Sequence, residues 1–113
     1  MKKSQKNHWA ICLFVMISLS GCATVGREFS FQGPGELAIG QTKQSDIIKK
    51  YGRPFRVGYD SGDVQWTYAY YQYSAFSDSQ TKDLVITFNK EGKVKSYVFN
   101  SSYEEDKMKI MSK

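Results

Sequence analysis

Leu84-Val85-Ile86-Thr87-Phe88-Asn89-Lys90-Glu91-Gly92-Lys93-Val94-Lys95-Ser96-Tyr97-Val98-Phe99 is a pair of β-branched and aromatic runs separated by a polar turn. Gly92 suits the left-handed position after a type I turn, so the stretch predicts a three-residue hairpin with a G1 bulge. With Asn89 opposite Lys93, Phe88 faces Val94, Ile86 faces Ser96 and Leu84 faces Val98. That set forms an apolar face. Val85 with Tyr97, Thr87 with Lys95, and Phe99 fall on the other.

Moving toward the N-terminus, Val64 to Tyr73 is β-branched and aromatic, with polar or small residues alternating through its first half, and predicts a third strand. A polar loop, Ser74 to Lys82, separates it from the hairpin. Asp60-Ser61-Gly62-Asp63 is turn chemistry, and Phe55 to Tyr59 a short extended piece. Before it, the stretch Leu37 to Pro54 contains a helix of about nine residues: Thr42 can cap it, Asp46 suits its first turn, Lys49 and Lys50 its last, and Gly52 and Pro54 end it. Ile47, Ile48 and Tyr51 form a stripe that must be buried, because so short a helix is unstable alone. The hairpin's apolar face is its expected partner, with Trp66 buried on the same side.

Residues 22–36 read as a flexible tether of small and turn-forming residues. Phe29 and Phe31 either pin a short extended segment or are loop aromatics. Upstream, Lys2, Lys3 and Lys6 precede an apolar run from Trp9 to Leu19, then Leu19-Ser20-Gly21-Cys22. Eleven residues suit a signal peptide and fall short of the roughly 20 needed to span a bilayer core. Leu-Ser-Gly-Cys resembles the lipobox of bacterial lipoproteins. That resemblance implies removal of residues 1–21, diacylglycerol on the Cys22 sulfur and, as a rule, a third acyl chain on the new amine. One chain holds a protein to a membrane marginally, two or more stably. Ala23 rather than an aspartate after the cysteine implies, by the same resemblance, delivery to the outer membrane.

Without residues 1–21 the chain is 92 residues, and its 13 basic residues face 11 acidic ones. A net charge of +2 is no nucleic-acid signature. The chain's one histidine, His8, and Cys12 lie in the signal, and Cys22 carries lipid, so no disulfide forms within the chain. Ser-His-Asp and Cys-His catalysis, histidine-bearing transition-metal sites and cysteine zinc sites are excluded. A carboxylate pair for glycoside hydrolysis is formally open, but the acidic residues are scattered through turns and the C-terminal stretch. A non-enzymatic protein without cofactor or metal is expected.

Leu37-x-Ile39-Gly40-x-Thr42-Lys43 before a helix, Tyr51-Gly52-Arg53-Pro54, Trp66-x-Tyr68 and the strand Leu84 to Phe88 with Gly92-Lys93-Val94 together resemble the SmpA/OmlA (BamE-like) domain of small outer-membrane lipoproteins. The match covers residues 37–101, leaving 102–113 as a charged tail. It implies an α+β fold, ααβββ, with one or two N-terminal helices on one face of a three-stranded antiparallel sheet. It also implies a periplasm-facing role in outer-membrane protein assembly or envelope integrity, through β-barrel assembly components or other envelope proteins. The layout is similar, too, to β-lactamase-inhibitor modules, which makes an inhibitor or adaptor binding a soluble envelope enzyme the alternative.

The expected sites are therefore lipidation at Cys22 and partner binding on the sheet face opposite the helix, through Tyr71, Tyr73, Tyr97 and Phe99, with the loop from Phe76 to Lys82 at the rim. Interfaces are enriched in tyrosine, although tyrosine is also simply a good strand former with a polar tip. The stretch from Tyr103 to Met111 could instead fold over that face as a helix.

Overall fold

The computed structural model describes residues 23–112. In chain order they form strand β1 (Ala23–Gly26), a 3-10 turn (Pro34–Glu36), helix α1 (Gln44–Tyr51), strands β2 (Arg56–Asp60), β3 (Asp63–Tyr73), β4 (Gln80–Phe88) and β5 (Val94–Ser101), and helix α2 (Glu104–Met111). All five strands join one antiparallel sheet. β3 is its hub, with β4 along one edge and β2 and β1 sharing the other, opposite 63–67 and 70–73 respectively. This corrects the expected ααβββ arrangement. The sheet has five strands rather than three, α1 follows a strand, and the second helix is C-terminal.

The difference begins in residues 22–36, expected as a flexible tether. Ala23–Gly26 pairs with Tyr73–Tyr70, and the Arg27 N–H donates to the Ala69 carbonyl at 3.2 Å. Gly26, at φ 82°, is needed there, since a Cβ would stand 2.1 Å from the Ala69 carbonyl oxygen. The chain then crosses the sheet and buries Phe29 and Phe31 in the core. Four strand residues with no apolar alternation, followed by two phenylalanines, are too short a pattern to register as an element. Their order comes from β3's free edge and from the apolar surface beneath.

α1 forms where expected, with a shifted cap. Lys43 precedes the first turn, and its N–H donates to Asp46 Oδ2 at 3.0 Å, whereas Thr42 Oγ1 accepts from the Ala38 N–H at 2.8 Å. Gly52 closes the helix, its N–H donating to the Ile48 carbonyl. Ile47 and Tyr51 are buried against the sheet, while Ile48 lies outside the contact and is exposed.

The β4–β5 turn matches its sequence: Gly92 has φ 78°, and the Asn89 N–H donates to the Lys93 carbonyl at 2.8 Å. The register beyond it does not match. Phe88 opposes Val94, but Thr87 opposes Ser96, so Lys95 is an extra, bulged residue, and Ile86 then faces Tyr97 and Leu84 faces Phe99. A one-residue slip moves every later side chain to the other face. Val98 is turned outward and Tyr97 and Phe99 inward. The loop before α1 occupies the outer edge of β5 beside the bulge. The Val94 N–H donates to the Thr42 carbonyl at 2.9 Å and the Val94 carbonyl accepts from the Gly40 N–H at 2.7 Å. Val94 therefore faces Phe88 on one side and bonds the loop on the other, and the bulge follows it directly.

The core lies on the α1 side, here the front face: Leu84, Ile86, Phe88 and Val94 are wholly buried with Ile47, Tyr51, Tyr68, Leu37, Phe29 and Phe31. Trp66 shares that face as expected and meets Phe88 edge-on at 4.8 Å between centroids, but is only partly buried.

Candidate functional site

The bulge determines where the expected contact residues end up. Tyr71 and Tyr73 lie on the back face, ring centroids 6.4 Å apart, at the end of β3 that pairs with β1. Tyr97 and Phe99 lie on the front face among core residues. The four therefore do not form one surface, which corrects their expected common placement opposite the helix. Cys22 lies outside the described residues, immediately before Ala23 of β1.

Tyr97 and Phe99 are instead one wall of a front-face groove. The segment that crosses the sheet packs Phe31 on Phe99 (4.7 Å) and on Tyr97 (5.7 Å), and Phe29 edge-on to Phe99 and Tyr51. The Tyr97 hydroxyl donates to the Pro34 carbonyl at 3.4 Å. α2 supplies the opposite wall. The stretch 102–113, expected as a charged tail, turns at Ser101, whose hydroxyl donates to Asp106 Oδ2 at 2.5 Å, and Glu104, Glu105 and Asp106 favour the helix N-terminus electrostatically. The space enclosed by Phe31, Pro34, Tyr97, Phe99, Lys109 and Ile110 measures about 440 Å³ and is largely apolar.

Two polar nodes hold this segment down. Glu36 Oε1 accepts from the Tyr51 hydroxyl at 2.6 Å and pairs with Lys50 Nζ at 3.0 Å, and its other oxygen accepts the Gln32 N–H. Burial alone would raise the Glu36 pKa, but these donors together outweigh it and hold the carboxyl below the usual range. Burial first, and then the Glu36 carboxylate, push the Tyr51 hydroxyl well above the ordinary phenol value. The second node is Lys82, whose ammonium stands 5.2 Å from the Phe29 and Tyr103 ring centroids and 6.0 Å from that of Tyr70. Both nodes bond groups within the fold, which marks them as structural.

Among the described residues, no cluster of three His, Cys, Asp or Glu side chains could hold a metal ion. No described helix is long and apolar enough to cross a membrane. Sequence reasoning missed Pro34 and Ile110 as groove residues and left Phe31 undecided. The Phe29/Phe31 spacing of two was the one available signal. The chain matches no known family, no curated protein and no solved structure.

Proposed function

We propose that this chain is a lipid-anchored, periplasm-facing protein of the bacterial outer membrane that works by binding other envelope components rather than by catalysis. The observation that carries the reading is Leu19-Ser20-Gly21-Cys22, with its small residues and cysteine closing a short apolar run behind three lysines. Histidine and cysteine are missing from the residues after Cys22, which leaves the domain without an imidazole or thiol for nucleophilic chemistry. The role assigned is support of outer-membrane protein assembly or envelope integrity through protein contacts.

The first test is mass spectrometry of the protein purified from envelopes, with a Cys22→Ser partner. The expected product starts at Cys22 and carries acyl chains, and Cys22→Ser protein is soluble or remains an uncleaved precursor. A cleaved Cys22→Ser chain that stays membrane-bound overturns the reading. Capture from detergent-solubilised envelopes with the lipidated protein as bait addresses the partner. β-Barrel assembly components are the expected companions, whereas a soluble hydrolase at 1:1 stoichiometry would make the protein an inhibitor.

A further inference from the structure

The two ends of the sheet differ in chemistry. One end carries the turns Asp60-Ser61-Gly62-Asp63 and Asn89-Lys90-Glu91-Gly92-Lys93, with five charged residues. The other carries the β3–β4 loop, Ser74-Ala75-Phe76-Ser77-Asp78-Ser79, with one, and beside it the turn from β5 into α2, whose first turn holds Glu104, Glu105 and Asp106. At its tip Phe76 is 95% exposed, and beside it Tyr73 is 45% exposed. A phenylalanine so fully presented to water is unfavourable unless something covers it.

The position of the N-terminus indicates the cover. Ala23 pairs with Tyr73, the last residue of β3, so the chain enters the domain at the aromatic end of the sheet, one residue after Cys22. Because residues 23–26 are strand rather than tether, an anchor on Cys22 has no slack to let the domain drift away. Six loop residues separate Tyr73 from Gln80, so Phe76 belongs to the same edge. We infer that this end of the sheet is a bilayer-facing edge, with Phe76 inserted at the lipid interface beside the Cys22 acyl chains and Tyr73 at headgroup level. Aromatic side chains with one apolar and one polar part favour that depth. The charged turns at the far end then face the periplasm. The inference rests on the lipoprotein reading above.

The test uses the lipidated protein in phosphatidylethanolamine–phosphatidylglycerol vesicles, with a nitroxide at Phe76→Cys or, at the far end, at Tyr59→Cys. Cys22 is blocked by lipid, so each variant has one reactive thiol, and both positions are exposed enough to leave the fold intact. The label at 76 is expected to lose most of its collisions with a water-soluble nickel chelate and to keep those with oxygen, while the label at 59 stays accessible to the chelate. Free chelate access at 76, in protein shown by mass spectrometry to carry acyl chains on Cys22, overturns the orientation and leaves the lipoprotein reading intact. Equal protection at both positions also overturns it. Protein without acyl chains on Cys22 overturns both.

Discussion

The front and back faces of this sheet are built by the same strands, yet only one is a core. In front, Tyr68, Leu84, Ile86 and Phe88 are at most 4% exposed under α1 and the Phe29–Phe31 crossing. Behind, Val98 is 55% exposed, and the buried positions are held by short side chains, Ala69, Thr67 and Thr87. β-Branched and aromatic residues occur on both sides, so composition does not separate the faces. The separation comes from what lies across each face and from one bulge at Lys95 that directs Tyr97 and Phe99 forward. A face is apolar in function only where another element removes its water.

The largest expected effect tests the covered face directly. Phe88→Ala should cost about 3–5 kcal/mol in denaturant unfolding, a large share of the ~5–15 kcal/mol typical of a whole domain. Deleting Lys95 removes the bulge while leaving both faces their side chains. Without it Ser96 follows Val94 in a regular ladder opposite Thr87, and Tyr97 and Phe99 stay in front. The loss is then confined to the fit of Val94 against the Thr42 and Gly40 backbone, about 1–2 kcal/mol for two strained hydrogen bonds. A deletion variant as stable as the parent would show that the bulge is incidental, and backbone hydrogen exchange along β4 and β5 would report which register it adopts.

A smaller effect concerns the node that ties the crossing segment to α1. The Glu36 carboxyl titrates below its ordinary value of about 4.5, so its ionised form is favoured in the fold. Its contribution is present above that value and is lost as pH falls through the lower folded-state pKa. Glu36→Gln should lower stability at neutral pH by about 1 kcal/mol and flatten the acid limb of the stability profile. An unchanged acid limb would place the pH dependence elsewhere. The smallest effect belongs to the back face: Val98→Ser should stay within about 0.5 kcal/mol. A loss comparable to that of Phe88→Ala would mean that the back face is covered after all.

Much of the local structure was legible. The Asn89–Lys93 turn, the α1 stripe of Ile47 and Tyr51, the Gly52 cap and the long strand through Trp66 all depend on neighbours within a few residues in sequence, so residue type and spacing suffice. The candidate site was less legible because it depends on two long-range events. Tyr97 and Phe99 change faces through the bulge at Lys95, beside which Val94's backbone bonds to Gly40 and Thr42, some fifty residues earlier. The groove they line is closed by Phe31 and Pro34 from the N-terminal segment and by Ile110 from the C-terminal helix. The N-terminal segment has too little apolar periodicity to announce itself, and the C-terminal stretch, open to helix formation, carries no signal of which face it covers.

The sequence by itself determined the hairpin turns, the helix between Lys43 and Gly52, the absence of imidazole and thiol after Cys22, and the lipobox-like segment before it. Each is a property of adjacent residues or of composition. Only the tertiary structure decided that residues 23–36 belong to the fold, that β3 accepts two strands on one edge, and which face Tyr97 and Phe99 occupy. Those outcomes turn on unpaired strand edges and competing backbone hydrogen bonds between segments far apart in the chain, whose balance exists only once the chain has folded.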